Sequence, residues 1–486
     1  MPDHDPRLMH RSLLDRPLEV SSASGSYLTL ASGRRILDGC AGAAVAAIGH
    51  GNAEVQAAVV AQMSRVSYVH TMAYTTDSAE RLADALLRDR PHGLSKAYLV
   101  GSGSEAMDSA LKLARQFHVE NGQPERKHFV ARQQAYHGNT IGAMSVSSNL
   151  ARKVPYNGAL LLDNVSFVDA AYGYRGQWEG ETEDEYAARL VAQLQDEFRR
   201  VGPDTVAAFI AETVGGATAG CITPPRGYLE GVRRVCDEHG VLLILDEIMC
   251  GSGRTGTYFA FEQDGDVRPD LVTLGKGLGG GYAPIAGVLA HQRVVETLRK
   301  GTASFNHGHT YQAHPVSCAA ALAVLQIIER EGLVAECARK GAWLESELRR
   351  VFGSEKHVGD IRGRGLFWGV EFVADRASKE PFPLEKLFGI RVQERALELG
   401  LAVYPGRGTA DGVKGDHVLV SPPLNISDED LQTVVTVLKQ AYDQAVKGLS
   451  WVDGKCPEKQ YWWHEPCGTL NGGLYGSHHA RPQRKH

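Results

Sequence analysis

The chain has 486 residues, 43% of them hydrophobic and 22% charged, with a formal net charge of −5. That length exceeds one ordinary domain and supplies a large core, while the acidic balance offers no basic face for nucleic acid. No apolar run approaches the roughly 18–20 residues of a membrane span, the charged start MPDHDPRLMHRSLLDRP lacks an apolar signal core, and 8 scattered cysteines without a Cys-x-x-Cys pair read as free thiols in a cytoplasmic protein with no metal site.

Residues 1–45 read as an N-terminal arm and part of a small domain, with a hairpin of Tyr27–Leu30 and Arg35–Leu37 across Ser32-Gly33. The segment DGCAGAAVAAIGHGN, Asp38 to Asn52, ends in Gly49-His50, a histidine that suits a turn as well as a site. Helices over Ala53–Ser64 and Ser78–Leu87 precede a strand, Lys96–Val100, that runs into Gly101-Ser102-Gly103-Ser104 and a helix patterned by Ala106, Ala110, Leu111 and Leu113. Strand, small-residue turn and helix N-terminus form an anion site, because backbone N–H groups converge there and the helix dipole favours negative charge. The same serines also suit helix caps. A strand over His128–Ala131 leads to AYHGNT, Ala135 to Thr140. Tyr186, Leu190, Val191, Leu194 and Phe198 mark one face of a scaffold helix. A strand over Val206–Ile210 then ends near Glu212, and a helix follows over Tyr228–His239.

Val241–Leu245 is a continuous apolar run that ends in Asp246 and Glu247, where open α/β sheets bind ligands. Further on, Leu271–Leu274 runs into Lys276 and a turn of Gly277, Gly279, Gly280 and Gly281. Burial lowers a lysine's pKa by disfavouring the charged form, and the neutral amine is a nucleophile towards an aldehyde. Taken singly, the lysine suits a surface turn and the aspartate a helix cap. Together, strand–Asp followed by strand–Lys has the spacing of a pyridoxal phosphate site. There the lysine holds the cofactor aldehyde, and the carboxylate keeps the pyridine nitrogen protonated so that the ring accepts electrons.

Beyond this point helices are expected over Pro315–Glu329, Leu333–Phe352, Leu387–Glu398 and Asp428–Val446, the last capped at Ser427 with Asp430 at N3. Val358–Arg364 and Leu366–Phe372 read as a strand pair, and Val418–Ser421 as a short strand. The tail, 449–486, carries Trp451, Trp462, Trp463, several histidines, Cys456 and Cys467 at spacings that fit no standard zinc module. It is read as an aromatic docking segment that loses order beyond Gly476.

From about Asp38 to Pro423 these motifs occur in the order of the class III aminotransferases, pyridoxal-phosphate enzymes of fold type I, which the chain resembles. The resemblance implies a large domain, 46–305, with a mostly parallel seven-stranded sheet flanked by helices, and a smaller α+β domain, 306–448. It implies that Gly103-Ser104 holds the cofactor phosphate and that Tyr136 stacks on the ring with His137 and Gly138 alongside. Ile248 takes the opposite face, Glu212 lies near the ring oxygen, and Asp246 and Lys276 are catalytic. Thr310 is expected to reach the partner's cofactor phosphate across a homodimer with shared sites. Thr213 replaces the proline that usually follows the glutamate. Asn139, Ala217 and Met249 replace polar residues with which γ-aminobutyrate-specific members grip a carboxylate. The pocket therefore looks like that of ω-transaminases, which take an amine donor with an apolar substituent and a pyruvate-like keto acid acceptor by ping-pong kinetics. Arg407 is the candidate for the acceptor carboxylate. Racemases, aminomutases and decarboxylating aminotransferases share these cofactor motifs and remain alternatives; intact Lys276, Asp246 and Tyr136 argue against an idle scaffold.

Overall fold

In a computed structural model, residues 7–88 and 92–451 are described. The main sheet has seven strands among the described residues. In spatial order they are Leu94–Val100, Ala286–His291, Leu271–Leu274, Leu242–Asp246, Val206–Glu212, His128–Arg132 and Val165–Val168. Ala286–His291 is antiparallel to both its neighbours, and the rest of the ladder is parallel.

The inner strands are apolar on both faces because both faces are covered, as parallel sheets require. Every residue of Val206–Glu212 and Leu242–Asp246 is buried. Side chains alternate across the sheet: Leu243 and Leu245 join a core with helices Glu183–Val201 and Tyr228–His239, while Leu242 and Ile244 join one with helix Gly103–Glu120. Helix Glu183–Val201 starts at a capping box, in which Thr182 Oγ1 accepts from Glu185 N (3.2 Å) and Glu185 Oε2 accepts from Thr182 N (2.8 Å).

The mostly parallel seven-stranded sheet is as expected, with shifted ends. The strand expected to stop at Leu245 runs to Asp246, which pairs with Glu212 on one side and Thr273 on the other. The first strand begins at Leu94. Val165–Val168 and Ala286–His291 are strands beyond those expected from the sequence; the first lies half-buried at the sheet edge, and the second follows the glycine-rich turn.

A smaller α+β part holds the antiparallel strands Val358–Arg364, Phe367–Phe372, Asp416–Val420 and Tyr404–Arg407. Val370, Phe372, Val418 and Val420 pack there on Leu344, Phe388 and Val435 of helices Leu333–Phe352, Phe388–Glu398 and Asp428–Lys447. Ser427 Oγ accepts from Asp430 N at 3.0 Å, as the sequence predicts. A third sheet joins Val20–Ser24, Tyr27–Leu30 and Arg35–Asp38 to Leu401–Ala402, the last in parallel through Leu401 and Leu37.

The segment after Asp38 is a run of left-handed residues, Ala41, Gly42, Ala43 and Ala44, with φ of 46°, 62°, 95° and 61°. Each alanine there costs roughly 1 kcal/mol or more. The buried Asp38 carboxylate offsets this by accepting from Gly42 N at 3.1 Å and bonding His50 Nε2 at 3.0 Å, which gives His50 a turn-fixing role. Within 7–19, Ser12 Oγ donates to Asp15 at 3.1 Å. The Trp- and His-rich stretch 452–486 lies outside the described residues, and among the described residues no helix is long and apolar enough to cross a membrane.

Candidate active site

Three neighbouring parallel strands deliver Glu212, Asp246 and, two residues past Leu274, Lys276 to one end of the sheet. Asp246 is 4% exposed. Its Oδ1 accepts from Ile248 N at 3.0 Å, and its Oδ2 bonds His137 Nδ1 at 2.7 Å. An ionised carboxylate only accepts, so the Nδ1–H of His137 is the donor. His137 is held in turn by its backbone N, which donates to Ser147 Oγ at 2.8 Å.

The two adjacent acids separate. Glu247 turns into the scaffold, where it accepts from Ala260 N at 2.7 Å and Phe261 N at 3.1 Å. Burial pushes its carboxyl up to about 8, so it is predominantly protonated at neutral pH. Glu212 instead bridges two turns of the site. Its Oε1 accepts from Tyr136 N at 3.0 Å and its Oε2 from Gly216 N at 2.7 Å. Burial raises the Glu212 pKa, with the charge of His137 acting against the rise.

Lys276 begins a short turn with φ 44°, left-handed for a residue with a side chain. It keeps partial solvent access. Desolvation lowers its pKa, opposed by the negative charges of Glu212 and Asp246 and reinforced by the positive charge of Arg152. The amine is therefore easier to deprotonate than a surface lysine, as a nucleophile or proton carrier needs.

The small-residue turns meet around this centre. Ser102 is the N-cap of helix Gly103–Glu120 and accepts from Glu105 N at 3.3 Å. Ser104 instead ties the helix start to the Tyr136–Asn139 turn. Its Oγ donates to Asn139 Oδ1 at 2.8 Å and accepts from Asn139 N at 3.0 Å. A Cβ on Gly138 would lie 2.6 Å from Ser104 Oγ, and one on Gly103 would lie 2.5 Å from Ile248 Cδ1. Ile248 Cγ2 would also be 3.3 Å from a Cβ on Gly275, so this side chain sits between the anion turn and the lysine turn. Met249, Val214, Ala44, Phe367 and the partly buried Ala217 and Tyr404 form an apolar cluster alongside.

Thr310, expected at a partner's site, and Arg407 stand apart from this cluster. Thr310 is exposed, on a loop whose His309 reaches Glu105 at 3.2 Å. Arg407 pairs across the strands with Asp416, whose carboxyl answers to Arg407 and to the backbone of Gly389. Its neighbours Tyr404 and Gly406 pair with Leu419 and His417 on the other face. Alternation therefore puts Arg407 on the face of Asp416 and Val418, opposite that of Tyr404. Arg152, which the sequence does not single out, has its guanidinium carbon 5.0 Å from the centre of the Tyr136 ring. It lies on the one-turn helix Leu150–Lys153, too short for any periodic signal.

The parts fit pyridoxal phosphate. Closely packed glycines at a helix N-terminus suit a phosphate, a buried carboxylate fixed by a histidine suits a protonated pyridine nitrogen, and a desolvated lysine suits the aldehyde. The family model for class-III aminotransferases matches residues 9–442. The chain belongs to that family. It is 46% identical over 442 residues to an uncharacterized aminotransferase of Schizosaccharomyces pombe, covering 91% of this chain and 96% of the relative. It is 35% identical over 437 residues to the diaminobutyrate–2-oxoglutarate transaminase of Halomonas elongata, covering 89% and 91%. Among solved structures it resembles the ω-transaminase of Pseudomonas jessenii in complex with PMP (TM-score 0.84, 33% identity, 89% and 94% covered). A thermostable (S)-enantioselective ω-transaminase from Thermomicrobium roseum is also similar (TM-score 0.82, 36% identity, 89% and 94% covered). This class-III aminotransferase has the fold of those enzymes and uses pyridoxal phosphate.

Proposed function

We propose that this class-III aminotransferase is of the ω-transaminase type. It takes the amino group of an amine or ω-amino compound with an apolar substituent and passes it to a pyruvate-like keto acid, as a cytoplasmic homodimer. The observation that carries this reading is the convergence of Lys276, Asp246 and Glu212 beside an apolar wall. That wall includes Met249 and Ala217, where γ-aminobutyrate-specific relatives are polar. A substrate methylene or ring buried there gains about 25 cal/mol per Å² removed from water, whereas a carboxylate placed there would lose its hydration.

Bound pyridoxal phosphate supplies an electron-accepting ring that acidifies the proton on the amine-bearing carbon. Asp246, fixed by His137, holds a proton on the ring nitrogen. Gly103, Ser104 and Gly138 form the phosphate cradle, and Tyr136 and Ile248 flank the ring. Glu212 positions the Tyr136 turn near the ring oxygen. Lys276 would hold the aldehyde and would carry the proton between the amine-bearing carbon and the cofactor's carbon, base first and acid second. Its lowered pKa keeps more of the amine neutral for that step. Thr310 completes the partner's phosphate site. A surface of Tyr68, Met72, Tyr74 and Tyr311 supports the dimer: these residues are 40%, 88%, 67% and 59% exposed, and the Tyr68 and Tyr311 rings lie 6.0 Å apart.

Borohydride reduction of the cofactor-loaded protein followed by peptide mapping tests the centre, with the label expected at Lys276 alone. An amine added without a keto acid converts a transaminase to its aminated-cofactor form and leaves a racemase spectrally unchanged. Light scattering should give twice the monomer mass.

A further inference from the structure

A keto acid acceptor brings a carboxylate to a site whose wall is apolar, and the site needs a cation to receive it. Arg407 lies on the face of Asp416 and Val418, opposite that of Tyr404. Two buried arginines nearby hold main-chain carbonyls: Arg132 donates to Glu212 O, and Arg254 donates to Leu366 O at 3.2 Å and to Pro422 O. Arg152 is partly exposed and so reachable from solvent, and its guanidinium lies over the ring of Tyr136 at 5.0 Å.

The backbone around Arg152 is fixed by its neighbour. Lys153 Nζ donates to Ser147 O at 2.7 Å and Ser145 O at 3.1 Å and is buried against Phe167. Ser147 also accepts the His137 backbone N–H through its Oγ, so the one-turn helix is anchored to the residue that bonds Asp246. On its other side Leu150 lies against Gly412, in the loop that follows Tyr404–Arg407. The one-turn helix thus touches that loop through Leu150 and the Tyr136 ring through Arg152. A guanidinium is charged at every accessible pH and offers a planar fork that pairs two-to-two with a carboxylate. Its charge also reaches the centre, where it helps depress the Lys276 pKa.

We propose that Arg152 is the cation that receives the carboxylate of the keto acid acceptor. This rests on the transaminase reading above. The carboxylate is either the one adjoining the ketone or the distal one of a dicarboxylic acceptor.

The experiment compares Arg152→Met and Arg152→Lys with wild type in separated half-reactions. The first half uses an amine without a carboxylate; the second uses pyruvate or 2-oxoglutarate on the aminated enzyme. Arg152→Met should raise the half-saturating keto acid concentration roughly 10- to 100-fold, the worth of a charge-assisted pair. The amine half-reaction, which feels the Arg152 charge through Lys276, should fall less than the keto acid half, and Arg152→Lys, which keeps the charge, should recover part of the loss. A rise for both acceptors assigns the carboxylate next to the ketone, and a rise for 2-oxoglutarate alone assigns the distal one. Calorimetric binding of propionate and glutarate to the borohydride-reduced enzyme should weaken in parallel. An unchanged half-saturation for both acceptors overturns the proposal, as does an equal fall in both halves with normal carboxylate binding. Wild-type protein that fails the amine half-reaction overturns the transaminase reading itself, and with it the role of Arg152.

Discussion

Replacing Gly138 by alanine probes the cradle at its tightest point. Gly138 has φ 142°, in the region that side chains avoid, and a Cβ there would lie 2.6 Å from Ser104 Oγ, 2.8 Å from Ser104 Cα and 2.9 Å from Ala143 Cβ. Only the first of these atoms is the end of a movable side chain. Ser104 Cα belongs to the first turn of helix Gly103–Glu120, and Ala143 is wholly buried. The added methyl therefore displaces the turn rather than its neighbours. Backbone strain costs roughly 1–3 kcal/mol and overpacking roughly 1–3 kcal/mol; one shift relieves part of both, so about 3 kcal/mol is expected in total. In cofactor-free protein the turn relaxes by opening the Ser104–Asn139 pair, 2.8 Å and 3.0 Å. Cofactor binding demands the original geometry, so the penalty falls on affinity, by roughly 150-fold for 3 kcal/mol. Fluorescence titration of cofactor-free protein with pyridoxal phosphate measures this, and a thermal melt of the same sample should move by only a few degrees. Gly122→Ala is the comparison. With φ 72° and open space around a Cβ, it carries strain of about 1 kcal/mol and no clash, and should bind cofactor as wild type does. Cofactor affinity within about threefold of wild type for Gly138→Ala, or an equal loss for Gly122→Ala, would refute the cradle as the source of the effect.

The other expectations concern charge. Lys276→Ala should retain no borohydride-fixed cofactor and lose about 10²–10⁴ in turnover, read by an amine–pyruvate assay; a loss below tenfold contradicts its role. Asp246→Asn should bind cofactor but stall at removal of the carbon-bound proton, visible as a lost deuterium exchange at that carbon; unchanged exchange rules out the ring-nitrogen role. Glu247 has a folded pKa of about 8 against an ordinary 4.5, so the folded state binds more protons between those values. Its contribution is full below 4.5 and declines as pH rises through 8. Glu247→Gln should flatten that alkaline decline in denaturant titrations. His417 is buried with a folded pKa of about 3 against 6.5, so in that window the unfolded state binds more protons and stability falls with acid. His417→Leu should flatten the acid limb, and an unchanged slope would show that other groups control it.

How much of this was legible depended on whether one residue's neighbours in sequence fixed its surroundings. Val206–Glu212 and Leu242–Asp246 announced themselves as unbroken apolar runs because both sheet faces are covered. Asp246 and Lys276 stand out as candidates because each follows such a run, and the Ser427 cap because its partner is three residues away. Ser102 and Ser104 could not be told apart in sequence, since both suit a cap; only the approach of Asn139 from a distant turn separates them. Asp246 and Glu247 look like a pair, yet successive side chains leave a strand on opposite faces, and Glu247 meets Ala260 and Phe261 instead.

The two arginines show the same limit from opposite sides. Tyr404–Arg407 contains a proline and a glycine, which argue against a strand, so the sequence offered no register by which to see that Arg407 lies on the face of Asp416 and Val418. Arg152 sits in a single helical turn and owes its position to Lys153, whose buried ammonium is held by two carbonyls near Ser147. It meets the Tyr136 ring only through the fold. The candidate cofactor residues Asp246 and Lys276 stand at strand ends, where local pattern and global topology coincide. Arg152 stands on a short connecting turn, where they do not, and no motif marks it.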